Sequence, residues 1–276
     1  MKQVAYALLP TRSERVARGA VVTYIALLVA LPLLALVTFG LSDGLTTLVA
    51  ALRSPVARSA LWLTLWTSVL VGAFDIVLGV ATAWVLVRYE FPGRAALSAL
   101  VDLPLAIPTL VAGMMLATLY GANSFIGHTF QALGFQVIFA PAGIVLALLF
   151  VTLPFVIRAV EPVLQEIDPA EEEAATILGA GPFRTFRTVF FPAILPAALS
   201  AGIRSIGRAL GEFGSIVVVA GNIPFRTLTA PVFIFGEIES GTPRTAAAVS
   251  VLLLGIALAL HAVASAIESR TGARHV

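Results

Sequence analysis

Residues 168–192 read DPAEEEAATILGAGPFRTFRTVFFP and form a polar, acidic interruption in an otherwise apolar chain. Asp168 is a predicted helix N-cap with Pro169 at the first helical position, and the glutamates that follow suit the positive end of a helix dipole. Gly179 is suited to a left-handed helix stop, and Pro182 can begin a second short helix. Residues 168–191 are therefore predicted to form a helix–turn–helix that lies outside a membrane.

The rest of the chain is too apolar for a soluble domain. Of its 276 residues 59% are hydrophobic and 12% are charged, whereas soluble domains are about half apolar and about a quarter charged. Six apolar blocks are long enough to cross a bilayer, which takes roughly 20 residues. We therefore predict an all-α, polytopic membrane protein in which residues 1–276 form a single transmembrane domain. The blocks are about 20–41, 59–87, 103–120, 140–157, 193–220 and 246–266.

Residue counts exclude several classes of protein. The chain has no cysteine, which excludes disulfides and thiolate catalysis, and no nucleophile–base pair suggests an intramembrane enzyme. Lys2 is the only lysine, and the sequence after it cannot form the phosphate-binding loop of an ATPase. The net charge of +2 is too small to indicate nucleic acid, and His128, His261 and His275 have no metal-ligand spacing. We expect no catalytic site, metal site or ATPase site in this chain.

Basic residues are distributed unequally between the two sides of the predicted bundle. Eleven fall on the side that holds both termini and residues 168–191, and four fall on the other side. The positive-inside rule therefore predicts that both termini and this segment are cytoplasmic. The eleven are Lys2, Arg12, Arg15, Arg18, Arg88, Arg94, Arg158, Arg184, Arg187, Arg270 and Arg274, and the four are Arg53, Arg58, Arg226 and Arg244.

The fifth apolar block carries charged residues. Arg204, Arg208 and Glu212 recur every four positions, which predicts a shared helix face, and Gly207 and Gly211 beside them would allow another helix to approach. A charge at the bilayer centre costs at least about 2.5–3.5 kcal/mol, so it should face protein or a water-filled path. Two interpretations stay open. Arg204, Arg208, Gly211 and Glu212 line an anion pathway, or Arg208 and Glu212 form an internal ion pair that only joins helices.

Three further features bear on the interior of the bundle. Asp75, deep in the second block, is expected to pair with one of the arginines of the fifth block or to face a partner subunit. Pro104 and Pro108 are expected to kink the third helix or delay its start. Residues 227–242 are interpreted as a partial helix over the mouth of a pathway or as a plain connecting loop.

The acidic segment resembles the cytoplasmic signature of bacterial ABC importer permeases, which is Glu-Ala-Ala, three residues, Gly, nine residues and Ile-x-Leu-Pro. Here Glu173 begins the motif, Gly179 follows at the right spacing, and Val189 and Phe191 replace the Ile and Leu. An amphipathic loop on lipid headgroups is the alternative, although an acidic first turn suits an anionic leaflet poorly. The resemblance implies that a separate ATPase transmits force through Glu172, Glu173, Ala174, Ala175, Leu178 and Gly179.

Five other stretches are similar to sulfate/thiosulfate importer permeases. They are RYEFPGR at 88–94, DLPLAIPT at 102–109, PFVIR at 154–158, LGEFG at 210–214 and AGNIP at 220–224. The resemblance implies a type I ABC importer permease in the bacterial inner membrane, surrounded by lipid. It also implies a second, homologous permease as heterodimer partner, two ATPase subunits that bind ATP and magnesium, and a periplasmic sulfate-binding protein. The chain itself would need no cofactor.

Two alternative functions stay open. Molybdate permeases share elements of 210–214 and 220–224, so a molybdate or tungstate permease is the nearer alternative. A different class is an ion-coupled secondary anion transporter with Arg208 and Glu212 as its relay. That class predicts inverted repeats with unwound spans, which the sequence does not display, and it leaves the acidic segment unexplained.

Overall fold

The computed structural model describes residues 12–42 and 44–272, with side chains from 16 to 269. Lys2, Arg274 and His275 lie outside the described residues. The regular structure in this part of the chain is helical. The helices are α1 (Arg12–Gly40), α2 (Leu45–Arg53), α3 (Pro55–Arg88), α4 (Arg94–Ala106), α5 (Thr109–Tyr120), α6 (Phe125–Ala132), α7 (Pro141–Glu166), α8 (Pro169–Ile177), α9 (Pro182–Thr185), α10 (Phe191–Leu210), α11 (Gly214–Val219), α12 (Ala230–Glu239) and α13 (Pro243–Gly272). A π-helical turn at Phe186–Phe190 joins α9 to α10.

The transmembrane prediction agrees with this architecture. In the described residues, five helical segments are long and apolar enough to cross a membrane, and the bent pair of α4 and α5 would make a sixth. The expected kink or delayed start of the third helix is confirmed at Pro108, because α4 and α5 meet at an angle of 115° and α5 begins at Thr109. Helix α4 continues through Pro104 and ends at the extended Ile107. Pro108 causes the break, since it disfavours a helical conformation in the residue before it.

The fifth block is also interrupted. Helix α10 ends at Leu210 and α11 begins at Gly214, so Glu212 lies in the break between them. The prediction that Glu212 shares a helix face with Arg204 and Arg208 is therefore wrong. The physical reason is local: the Glu212 side chain accepts the backbone N–H of Ser215 at 3.1 Å, so it replaces a helical backbone acceptor at the start of α11.

Helices α3, α7 and α10 form the centre of the bundle, and α13 packs against α10. Helices α3 and α10 approach closely at two glycines. A Cβ atom on Gly72 would lie 2.3 Å from Cγ1 of Ile206, and one on Gly202 would lie 2.4 Å from Cγ1 of Ile76. Each glycine therefore leaves room for an isoleucine of the opposite helix, which gives close packing of the kind found between membrane helices.

Asp75 lies at the contact of the three central helices and is fully buried. Its Oδ2 atom accepts hydrogen bonds from Thr152 of α7, at 2.6 Å, and from Ser205 of α10. Both expectations for Asp75 are therefore wrong: it pairs with no described arginine, and it does not face outward toward a partner. Hydroxyl donors on neighbouring helices take the place of a counter-ion at Oδ2, whereas Oδ1 has no hydrogen-bond partner among the described residues.

Besides α8, the short helices α2, α6 and α12 lie outside the long spans. Helices α2 and α6 lie between the predicted apolar blocks, and Ser124 caps α6 by accepting the N–H of Gly127 at 2.8 Å. Helix α12 lies within residues 227–242, so this segment is a partial helix and not a plain loop. The N–H of Ala230 donates to Oγ1 of Thr64 at 2.8 Å, which fastens α12 to α3.

Candidate functional site

Helix α8 begins as its sequence predicts. Oδ1 of Asp168 accepts the N–H of Ala170 at 2.9 Å, Pro169 is the first helical residue, and Glu171 and Glu172 lie in the first turn. Proline at this position costs no helical hydrogen bond, and the acidic side chains interact favourably with the positive end of the helix dipole. No residue of α8 is buried within the chain, so the helix projects from the bundle.

The end of α8 is a left-handed glycine stop, as predicted. Gly179 has φ 78°. Its N–H donates to the carbonyl of Thr176 at 2.9 Å, and the N–H of Ala180 donates to the carbonyl of Ala175 at 3.0 Å. This pair of bonds satisfies two carbonyls that the helix would otherwise leave without partners. The chain turns sharply and enters α9 at Pro182.

The predicted coupling residues divide into two groups. Glu173, Ala174, Leu178 and Gly179 are exposed and Ala175 is half-buried. Glu172 instead forms an ion pair with Arg88, the last residue of α3. Sequence reasoning missed Arg88, although it lies in one of the stretches that carry the family resemblance.

Large apolar side chains surround the turn after α8. Ile177 and Leu178 are each 85% exposed, and Phe183 is 77% exposed. Exposed apolar clusters bordered by charges are typical of contact surfaces for another protein or for a membrane. We call Ala174, Ile177, Leu178 and Phe183 the coupling face, after the coupling role that the resemblance to importer permeases implies for this segment.

The helix after the turn continues without interruption into the fifth span. Residues Pro182–Leu210 form one helical segment through the π-turn, where the N–H of Phe191 donates to the carbonyl of Phe186. Pro192 has no N–H and cannot donate the usual helical hydrogen bond to the carbonyl of Thr188. The π-helical turn lies where this hydrogen bond is missing. The second helix of the 168–191 segment is therefore the start of the span and ends only at Leu210.

The break between α10 and α11 holds Glu212 in a fully bonded environment. Glu212 is 1% exposed. Its Oε2 atom lies 2.8 Å from Nη1 of Arg208, and its Oε1 atom accepts the N–H and the hydroxyl of Ser215 at 3.1 and 3.0 Å. The carboxylate thus fixes the start of α11 and anchors one side of the Arg208 guanidinium. The Arg208 side chain keeps 38% of its surface exposed.

Arg204, one turn earlier, has a different partner. Its Nη2 atom lies 2.5 Å from Oε2 of Glu268 in α13, and both side chains are more than 40% exposed, at 46% and 43%. Arg204 therefore joins α10 to α13 at an accessible surface, whereas Arg208 forms its ion pair with Glu212 in the break between α10 and α11.

The glycines beside these arginines lie on an open surface. A Cβ atom on Gly207 would meet nothing within 4 Å, and one on Gly211 would meet only the carbonyl oxygen of Arg208 at 4.0 Å. The helix approach expected at Gly207 and Gly211 is therefore not made by any described residue of this chain. We call Arg204, Gly207, Arg208 and Gly211 the open strip. Two guanidinium groups in an apolar span require water or a polar partner along this strip.

Two of the stretches similar to sulfate permeases contact each other in the structure. Asp102 begins one stretch and Arg158 ends another, and the Arg158 guanidinium donates to both Asp102 carboxylate oxygens at 2.7 Å. Arg158 also lies 2.5 Å from Glu161 and donates to the carbonyl of Ser98 at 2.8 Å. This forked pairing joins α4 to α7 and accounts for charged residues at these positions.

Comparisons with known proteins place the chain in a family. Residues 75–272 match the family described as "Binding-protein-dependent transport system inner membrane component". The "Probable sulfate transport system permease protein cysT" of Nephroselmis olivacea is 44% identical over 237 residues, covering 86% of this chain and 84% of that protein. The "Sulfate transport system permease protein CysT" of Synechocystis sp. is 40% identical over 239 residues, covering 87% and 84%.

Solved structures show the same fold. A chain from the "Crystal structure of bacterial alginate ABC transporter in complex with alginate pentasaccharide-bound periplasmic protein" has a TM-score of 0.76 at 18% identity, covering 93% of this chain and 94% of that chain. The break between α10 and α11 is an unwound span, a feature that the sequence analysis did not predict and associated with secondary transporters. The family match nevertheless favours an importer permease over a secondary transporter. The chain belongs to the binding-protein-dependent transport system inner membrane components, as a multi-pass ABC permease subunit homologous to the CysT permeases.

Proposed function

We propose that this chain is the membrane-spanning permease subunit of an ATP-driven sulfate importer. The observation that carries the proposal is its similarity to CysT permeases, 44% and 40% identical over more than four-fifths of each chain. The open strip of α10 forms part of the anion path, and the coupling face of α8 receives force from a separate ATPase.

The chemistry of the open strip suits a tetrahedral oxyanion. The Arg208 guanidinium is held on one side by Glu212 and exposed on the other, so part of its N–H fork is free to meet an anion. Guanidinium groups match sulfate-like oxygens in geometry and charge. The Glu212 carboxylate offsets the charge of Arg208, which keeps binding weak enough for the anion to leave.

The proposed assembly includes partners that cover the exposed surfaces. A second, homologous permease would lie against the open strip and complete the path. Two ATPase subunits, which bind ATP and magnesium, would contact the coupling face, where Ile177 and Leu178 are each 85% exposed. A periplasmic sulfate-binding protein would deliver the anion near α12, consistent with the family description.

The proposed orientation follows the distribution of basic residues. Both termini and α8 are cytoplasmic, and α12 faces the periplasm of a bacterial inner membrane. The excess of arginine on the α8 side supports this orientation through the positive-inside rule.

Uptake measurements test the proposed function. Cells that lack their own sulfate permeases would express this chain with its ATPase, second permease and binding protein. We expect accumulation of labelled sulfate that depends on ATP and on each subunit, with weak competition by molybdate. Molybdate-selective uptake would assign the chain to the molybdate permeases, and uptake that persists without the ATPase would contradict the proposal.

A further inference from the structure

Arg88, the last residue of α3, contacts two other segments of the chain and a ring of its own helix. Its Nη2 atom donates to Oε2 of Glu172 in α8. Its guanidinium carbon lies 4.8 Å from the ring centroid of Phe190 in the π-turn and 5.6 Å from that of Trp84 in α3. Both distances are within the range of cation–π attraction. One side chain therefore connects α8, the π-turn and α3.

The aromatic base beneath Arg88 is tightly packed. The Trp84 ring meets Phe186 edge-on at 5.1 Å and Phe190 edge-on at 4.9 Å. Phe190 is 2% exposed. Edge-to-face packing of this kind restricts ring orientation, so the guanidinium rests on a rigid surface. The direction of the Arg88 side chain toward α8 is set by these rings.

Helix α8 has few other ties to the bundle. None of its residues is buried, and among the described residues the pair with Arg88 is the only ion pair that it makes. The two side chains are about one-third exposed, at 32% for Arg88 and 37% for Glu172. An ion pair this accessible contributes little by itself, so the contact of Arg88 with α8 depends also on the packing of its guanidinium group against Trp84 and Phe190.

We propose that Arg88 is a positioning residue for coupling: the Arg88–Glu172 pair, supported by Trp84 and Phe190, fixes α8 against the end of α3. A displacement of α8 then moves α3 directly, in addition to moving α10 through the continuous helix from α9. Because α3 crosses α10 closely at Gly72 and Gly202, both central helices would move as one unit. The inference rests on the proposed function, since it assumes that α8 receives force from an ATPase.

A distance measurement tests the pair independently of transport. The chain has no cysteine, so spin labels can be attached at Val85→Cys in α3 and Ala170→Cys in α8 of the purified complex. We expect a narrow distance distribution that broadens in Glu172→Gln and in Arg88→Gln. Glu171→Gln is the matched control, because Glu171 carries the same charge one residue earlier and has no ion pair among the described residues. An unchanged distribution in both test variants would refute the positioning role.

Coupling is the second readout. We expect Glu172→Gln and Arg88→Gln to lower sulfate transported per ATP hydrolysed by about fivefold or more, the lower end of site-to-site coupling. The exchange Arg88→Glu with Glu172→Arg should recover part of this loss, because the pair re-forms without its aromatic base. Full coupling in both single variants, in a complex whose wild type transports sulfate, would overturn the inference. A wild-type complex that does not transport sulfate would instead contradict the proposed function, while the spin-label result would still decide on the pair.

Discussion

At the scale of single residues, Arg208 and Glu212 form one ion pair with two different environments. Glu212 is 1% exposed and bonded at both carboxylate oxygens, whereas the Arg208 side chain is 38% exposed. The glutamate therefore serves the scaffold by capping α11, and the arginine presents charge to the open strip. The internal ion pair of the second interpretation is present, and the pathway role of Arg208 stays a prediction.

A double substitution separates these roles. In Arg208→Ala with Glu212→Gln, the glutamine carbonyl can still accept both bonds from Ser215, so assembled complex should stay abundant. Sulfate uptake per complex should fall about tenfold or more, because a hydrogen bond from a charged group is worth about 1.5–3 kcal/mol. Labelled sulfate uptake, normalised to complex in the membrane, gives the measurement. Arg58→Ala removes one exposed arginine as control, and uptake equal to wild type in the double variant would leave Arg208 a scaffold residue.

Sequence reasoning reached the Arg208–Glu212 pair through the four-residue spacing, yet it misjudged the backbone between them. Helix α10 continues only to Leu210, because the Glu212 side chain competes with the helix backbone for the N–H of Ser215. It also misjudged Asp75, whose hydroxyl partners Thr152 and Ser205 come from distant helices. The partners of Asp75 come from distant parts of the chain and have no local pattern in the sequence, whereas the break at Glu212 depends on a local side-chain bond that the four-residue spacing does not reveal.

At the scale of elements, α8 and its glycine stop are the parts best predicted from sequence. The Asp168 cap, Pro169 and the left-handed Gly179 are local features, and local hydrogen bonds determine them. The neighbouring Gly181 has φ −73°, which any residue adopts. Neither glycine has an atom within 4 Å of an added Cβ, so only backbone conformation distinguishes them.

This difference gives a matched pair of variants. Gly179→Leu should strain the turn by about 1–2 kcal/mol, because a side chain disfavours a left-handed conformation. Gly181→Leu adds the same bulk two residues later without that strain. We expect uptake per complex to fall in Gly179→Leu and to fall much less in Gly181→Leu, with both proteins present in the membrane. Equal uptake in the two variants would mean that the conformation of the stop has no part in coupling.

The contact between α3 and α10 gives a prediction about packing. A Cβ on Gly72 would lie 2.3 Å from Cγ1 of Ile206, so Gly72→Ala forces the helices or that side chain to move. Overpacking of this kind costs about 1–3 kcal/mol, which should lower the thermal unfolding temperature of the purified protein. Because Ile206→Ala removes the atom that the added Cβ would meet, Gly72→Ala should lower the unfolding temperature less in an Ile206→Ala background than in the wild-type protein. A melting temperature unchanged by Gly72→Ala alone would show that the helices do not meet there.

At the scale of the whole molecule, hydropathy and block length predicted the number of membrane spans but not the bends and breaks within them. Five segments and one bent pair correspond to the six apolar blocks, because block length reflects bilayer thickness. The 115° bend at Pro108 and the break after Leu210 depend on single residues that a hydropathy average hides. Short helices such as α2 and α6 fall below the length at which an apolar block is recognised.

Thiol labelling tests the proposed orientation. Single cysteines at Asn123 and Ser240, introduced as Asn123→Cys and Ser240→Cys, lie at exposed positions between α5 and α6 and after α12. We expect both to react in intact cells with a membrane-impermeant reagent added outside. Thr176→Cys on α8 is also exposed and should react only after the cells are opened. Labelling of Thr176→Cys in intact cells would invert the proposed orientation.

The most direct test of the account is transport by the purified complex in lipid vesicles. This chain would be reconstituted with the second permease and the ATPase subunits, with binding protein and labelled sulfate on the opposite side from ATP. We predict sulfate accumulation against its gradient that requires ATP hydrolysis and the binding protein and that collapses in Arg208→Ala with Glu212→Gln. Accumulation driven by an ion gradient without ATP would contradict the account, as would an ATP-hydrolysing complex that moves no sulfate.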